Sequence, residues 1–156
     1  MLPAKSWDMI RARQRRATFK RREKLIDRKE RRIQAFGAVV HDLVFDLNHL
    51  SDDGWSVLVE GQRDATAVRK LGYSGTIVTL SSLSRAGAGA FGTSKKVIIF
   101  TDLDREGAIL ASRCVKRLSH DGLRTSLAER RRLKAASRGV FLHIENLSRF
   151  AEPPSN

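Results

Sequence analysis

Residues 97–107, Val97-Ile98-Ile99-Phe100-Thr101-Asp102-Leu103-Asp104-Arg105-Glu106-Gly107, constrain the fold more than any other stretch. The apolar run at their start is rich in β-branched types and reads as a short strand buried on both faces. Such strands belong to parallel sheets covered by helices, and a helical pattern starts soon after Gly107. Asp102 and Asp104 stand where the strand opens into a loop, the edge at which open α/β sheets bind ligands. Two residues apart in extended chain, both carboxylates can point the same way. Paired hard oxygens suit Mg²⁺, which binds through one or two carboxylates and keeps its other positions for water and phosphate. The same pattern also arises from loop and helix-cap carboxylates, so the pair alone leaves both readings open.

At 156 residues the chain is expected to be one domain with a real core and an added arm. Its formal charge of +13 points to a polyanionic partner, nucleic acid first and an acidic membrane surface second. The single cysteine, Cys114, excludes an intrachain disulfide framework and a cysteine-based zinc site, and fits a reducing cytoplasm. No apolar run approaches the ~20 residues that span a bilayer. The Arg-rich start lacks the apolar core of a signal peptide, and Asp8, Glu23 and Asp27 argue against a transit peptide.

Charge dominates residues 1–35. Between Arg11 and Arg32, twelve Lys/Arg face only Glu23, Asp27 and Glu30, so this segment carries +9 of the total. Ser6 is positioned to cap a helix through Trp7, Ile10, Phe19, Leu25, Ile26 and Ile33, whose sparse apolar positions make a weak core face. The expectation is an exposed basic helical arm, disordered alone or ordering on RNA or DNA, with a solvated helix as the plainer alternative. Residues 36–54 change character: Phe36, Val39, Val40, Leu43, Val44, Leu47 and Leu50 recur at helical spacing and predict an amphipathic helix packed on a core. His41 and His49 flank that face as structural residues, and 51–54 break the helix.

Residues 55–150 alternate strand and helix patterns. Strands are expected at 55–59, 76–80 and 97–101, with a weaker one at 123–127. Helices follow the first strand (Ala65, Val68, Leu71, stopped at Gly72) and the third (107–120). Residues 81–94 read as a small-residue loop with at most a helical turn, lacking a phosphate-binding glycine spacing. A basic helix is expected at 129–134. Residues 140–144 read as a last strand or as the lead-in to a short helix at 145–150, with Pro153 and Pro154 ending the fold. The alternation implies a mainly parallel α/β sheet. Right-handed crossovers would carry Glu60, at the end of the first strand, to the Asp102/Asp104 edge.

Two coupled motifs, Val59-Glu60-Gly61-Gln62-Arg63-Asp64 and Thr101-Asp102-Leu103-Asp104-Arg105-Glu106-Gly107, resemble those of the Toprim domain, over roughly residues 55–145. That domain is shared by type IA topoisomerases, DnaG-type primases, OLD-family nucleases and the ribonuclease that matures 5S ribosomal RNA. Chain length and the leading helix look most like the small stand-alone archaeal Toprim proteins. The resemblance implies a Toprim-like (Rossmann-like) fold with Glu60 as general acid or base and metal contact. It also implies that Asp102 and Asp104 hold Mg²⁺, or Mn²⁺ in its place. Crowded carboxylates repel one another, and a divalent cation relieves that repulsion. Asp64 matches an acidic family position or caps the following helix. Gly61 and Gly107 are expected to permit tight turns. Glu106 resembles the topoisomerase version of the motif, and Arg63 and Arg105 are placed to touch phosphate.

A single tyrosine, Tyr73, in a turn beyond the first helix argues against a topoisomerase, and the size argues against a complete primase. What fits is a compact Mg²⁺-dependent nuclease on structured RNA, favoured over DNA. Arg15, Arg16, Arg21 and Arg22 in the arm, with Arg130, Arg131, Arg132 and Lys134, would supply salt-dependent affinity. Few aromatics are available to stack single-stranded bases, which favours duplex or folded backbone. The alternatives are a non-catalytic RNA- or ribosome-binding factor, and a Toprim subunit of a larger replication or repair complex. Apolar surface left open on residues 36–50 would favour the last.

Overall fold

The structure, a computed structural model, describes residues 4–152. Pro153 and Pro154, expected to end the fold, lie outside them. The chain divides into two compact units, one ending at Phe36 and the other beginning at Gly37. Helix α1 runs Ala4–Asp52, so Ser6 lies inside it rather than at its cap. In the first unit the helix is polar nearly all round, and Trp7, Met9, Phe19, Leu25 and Ile26 are more than half exposed.

In the second unit the last turns of α1 bury Val40, Leu43, Val44 and Leu47, the face that the helical spacing predicts. Because this face is covered, it gives no support to the open-surface criterion for a missing partner. The helix ends at Ser51-Asp52-Asp53-Gly54, where Gly54 takes a φ of 90° and turns the chain into the sheet. Strands β1 (Trp55–Val59), β2 (Ile77–Thr79), β3 (Lys96–Ile99) and β4 (Arg124–Ser126) form one parallel sheet in the order β2-β1-β3-β4. The crossovers carry α2 (Gln62–Lys70), α3 (Leu80–Ala86) and α4 (Arg105–His120), and α5 (Ala128–Ser137) follows β4.

The sheet is dry on both faces, as continuous apolar strands require. Leu58, Val97 and Ile99 pack with Leu83, Phe91, Ala111, Cys114 and Leu118 on one side. Val57, Val59 and Ile98 alternate to the opposite side and are fully buried too. Each such side chain contributes about 1.5–3 kcal/mol by burial, which holds the strand ends rigidly enough to carry a site.

One local expectation gives way to the structure, and one open choice is decided by it. Residues 81–94 are largely helical: Thr79 caps α3 by accepting the Ser82 N–H at 3.3 Å, and a 3₁₀ helix, Gly87–Phe91, follows. Residues 140–144 pair with no strand and lead into a 3₁₀ helix at Ile144–Phe150.

Candidate functional site

The pairing of β1 with β3 builds the site. Leu58 is in register with Ile99, and the Phe100 N–H continues the ladder to the Leu58 carbonyl at 2.8 Å. Two residues further along each parallel strand, Glu60 and Thr101 therefore stand side by side. The Glu60 carboxylate accepts the Asp102 backbone N–H at 3.1 Å through Oε1. Residues separated by 42 positions thus meet at the carboxyl edge of the sheet.

Asp102 and Asp104 each commit one oxygen to a backbone N–H and turn the other toward His143. Asp104 is the N-cap of α4, where its Oδ1 accepts the Gly107 N–H at 2.7 Å. Its Oδ2 faces His143, 4.0 Å from Nδ1. Asp102 Oδ1 accepts the Ile144 N–H at 2.8 Å, while Oδ2 lies 3.2 Å from His143 Nδ1. Asp104 thus caps the helix with one oxygen and keeps the other on the His143 side.

Beneath them runs a buried polar support. Thr101, with no exposed surface, donates its hydroxyl to the Gly107 carbonyl at 2.7 Å. Arg130 Nε donates to Thr101 Oγ1 at 3.1 Å and to its carbonyl at 3.3 Å, and Nη2 donates to the Asp102 carbonyl at 2.6 Å. Arg130 is therefore a correction to the expected nucleic-acid surface. It is 6% exposed because Arg130, Leu133 and Ser137 share the inner face of α5, and its donors are committed to the carboxylate turn. Arg131 and Lys134 are exposed, and Arg132, also exposed, pairs with Asp46. Arg63, Arg105 and Glu106 are exposed in the first turns of α2 and α4. Arg15, Arg16, Arg21 and Arg22 are exposed in the first unit.

Asp64 caps α2, its Oδ2 accepting the Gly61 N–H at 3.0 Å, and it is 8% exposed. Burial raises its pKa, opposed by the Gly61 N–H, with Asp102 and Glu145 raising it further by repulsion. Glu60 is also raised, first by burial and then by Asp102, Asp64 and Asp104, against the Asp102 N–H that favours the anion. The His143 imidazolium is favoured, above all by its hydrogen bond to Asp102.

The donor set fits a divalent cation. One ligand atom from each of Asp102, Asp104 and His143 lies within 4.8 Å of the others, the single such group found among the described residues. Glu60 stands beside this group rather than in it. His143 is the residue that sequence reading misses. It comes to the site because Leu142 and Ile144, on either side, bond to the Leu103 N–H and the Asp102 carboxylate, and nothing in its local sequence announces that.

Residues 55–129 match the Toprim domain family. A UPF0292 protein of Pyrococcus abyssi is 34% identical over 102 residues, covering 65% of this chain and 77% of the relative. A UPF0292 protein of Archaeoglobus fulgidus is 30% identical over 111 residues, covering 71% and 88%. Among solved structures, a protein from Aquifex aeolicus aligns with a TM-score of 0.55 at 24% identity over 67% of this chain and 94% of that one, which shows a shared fold. Among the described residues no helix is long and apolar enough to cross a membrane.

Proposed function

The chain belongs to the UPF0292 family of Toprim-type proteins, and from that premise we propose that it is a divalent-metal-dependent nuclease acting on structured RNA in the cytoplasm. The observation that carries the reading is the meeting of Glu60, Asp102 and Asp104 at one sheet edge, tied by the Glu60–Asp102 hydrogen bond. Clustered carboxylates that repel one another are costly to keep without a cation. Asp102 and Asp104 would hold the ion, and two carboxylates with room for water suit Mg²⁺, with Mn²⁺ able to replace it. When bound, the metal supplies charge neutralisation at the phosphate.

The remaining steps belong to the protein. Glu60 has one oxygen engaged by the Asp102 N–H, leaving Oε2 to exchange a proton. Burial, ahead of the neighbouring carboxylates, raises its pKa, the direction that suits a carboxyl group exchanging protons. In hydrolysis, water adds to phosphorus, the phosphodiester P–O bond breaks, and Glu60 takes the proton of the water or returns one to the leaving oxygen. Arg63 and Arg105, exposed at the starts of α2 and α4, can neutralise backbone phosphates.

A second reading, a non-catalytic RNA- or ribosome-binding factor, draws on the exposed basic helix of the first unit, which needs no chemistry to hold RNA. Cleavage of labelled structured RNA and duplex DNA with Mg²⁺ or Mn²⁺ separates the two. Metal-dependent products lost in both Glu60→Gln and Asp102→Asn/Asp104→Asn are expected for the nuclease. Tight, salt-sensitive binding without products would move the protein to the binding class.

A further inference from the structure

We propose that His143 is a third protein ligand of the metal centre and that its nitrogen makes the site prefer Mn²⁺ to Mg²⁺. The inference deepens the metal-dependent reading above and rests on it. Three observations carry it.

The first is distance. Ligands at right angles around a six-coordinate ion with bonds of about 2.1 Å stand roughly 3 Å apart. His143 Nδ1 is 3.2 Å from Asp102 Oδ2, the spacing of adjacent ligands, and 4.0 Å from Asp104 Oδ2, and all three groups offer a ligand atom within 4.8 Å of the others, so a small closure of the Asp104 side brings them onto one ion. The second is orientation. The backbone on either side of His143 is pinned to the Asp turn: the Leu142 carbonyl accepts the Leu103 N–H at 2.7 Å, and the Ile144 N–H donates to Asp102 Oδ1 at 2.8 Å. Phe141 and Ile144 are buried, so the segment is anchored below while its imidazole faces the carboxylates. The third is access. His143 keeps 47% of its side-chain surface, and the group has an open side for water and phosphate.

The donor types then choose the ion. Mg²⁺ takes oxygen almost exclusively, and an imidazole at one position adds little to its binding. Mn²⁺ shares the carboxylate and water ligands of Mg²⁺, and as the first of the divalent transition series it also takes nitrogen, less strongly than the later ions but more than Mg²⁺. A pair of carboxylates alone would leave the two ions close in affinity, whereas the added imidazole separates them.

Mn²⁺ binding to the full chain, followed by the loss of the free-ion electron paramagnetic resonance signal and by Mg²⁺ competition, tests the assignment without reference to activity. The nitrogen of a bound imidazole also leaves a modulation in the pulsed spectrum of Mn²⁺. Wild type is expected to show that modulation. Even an outer partner of a ligand changes affinity about 10–100-fold, so His143→Ala should weaken Mn²⁺ by about tenfold or more. Mg²⁺ affinity should stay within about twofold, because oxygen donors set it. His143→Ala with unchanged Mn²⁺ affinity, or a wild-type spectrum without nitrogen modulation, overturns the assignment and leaves the carboxylate centre standing. Mn²⁺ bound equally well by Asp102→Asn/Asp104→Asn overturns the metal centre itself, and failure of wild type to bind either ion does the same.

Discussion

A Cβ placed on Gly107 would collide with the Asp102 carbonyl oxygen and stand 2.6 Å from its carbon, backbone atoms that cannot yield without moving the carboxylate above them. Gly107 lies in the first turn of α4, and its necessity is close approach rather than an unusual φ. Gly61, in the matching place of the other motif, has an extended backbone at φ −143° and only Asp64 Oδ2 at 4.0 Å from such a Cβ. Gly107→Ala should therefore cost roughly 3 kcal/mol or more in urea unfolding, an overpacking effect at its upper end. Gly61→Ala should stay within about 0.5 kcal/mol. Equal losses in the two variants would show that the turn, not the close approach to Asp102, sets the requirement. The glycines were legible in sequence as a pair, but their difference was not, because it depends on where a second stretch of backbone passes.

Elements differ in how much of them a linear pattern reveals. The strand-to-loop passage at 97–104 was readable because the chemistry and its support are local: an apolar strand, then carboxylates, then a helix that one of them caps. Residues 81–94 looked like a loop because small residues blur helical periodicity, yet the Thr79 cap was enough to start α3. Helix α5 misled in the other direction. Its Arg130-Arg131-Arg132 run looks uniformly solvated, but Arg130 lies three residues before Leu133 and so shares the inward face of the packed helix. That residue became the clamp joining α5 to the Thr101–Asp102 backbone. Arg130→Lys keeps the charge but cannot reproduce the two-nitrogen contact, so it should lose about 1–3 kcal/mol of stability. Divalent-ion affinity, read by titration calorimetry, should fall with it. Arg131→Ala should leave both unchanged, and a parallel loss there would contradict the distinction between inward and outward arginines.

Taken as a whole, the molecule keeps most of its charge apart from its core. Apart from Ser6, Ile33 and the buried Phe36, the described helical residues of the first unit are exposed, and their ordering rests on local pairs such as Asp27–Arg31 at 2.9 Å more than on burial. An exposed ion pair of this kind stabilises a helix by only about 0.3–0.5 kcal/mol. Amide hydrogen exchange should consequently be fast through residues 4–36 and slow in β1 and β3, where opening requires disruption of the sheet. Such a segment is a poor foundation for a core and a good one for an adaptable grip on a polyanion, since ordering and counterion release can be coupled on binding. Replacing Arg15, Arg16, Arg21 and Arg22 together by Gln tests that division. If these side chains meet phosphates, the slope of log affinity for structured RNA against log salt should flatten by about 0.7–0.9 for each phosphate no longer neutralised. Metal affinity and unfolding midpoint, which belong to the second unit, should hold at wild-type values. An unchanged salt slope would locate the phosphate-binding cations elsewhere, among the other exposed Lys/Arg such as Lys20, Lys24, Arg63, Arg105, Arg131 and Lys134.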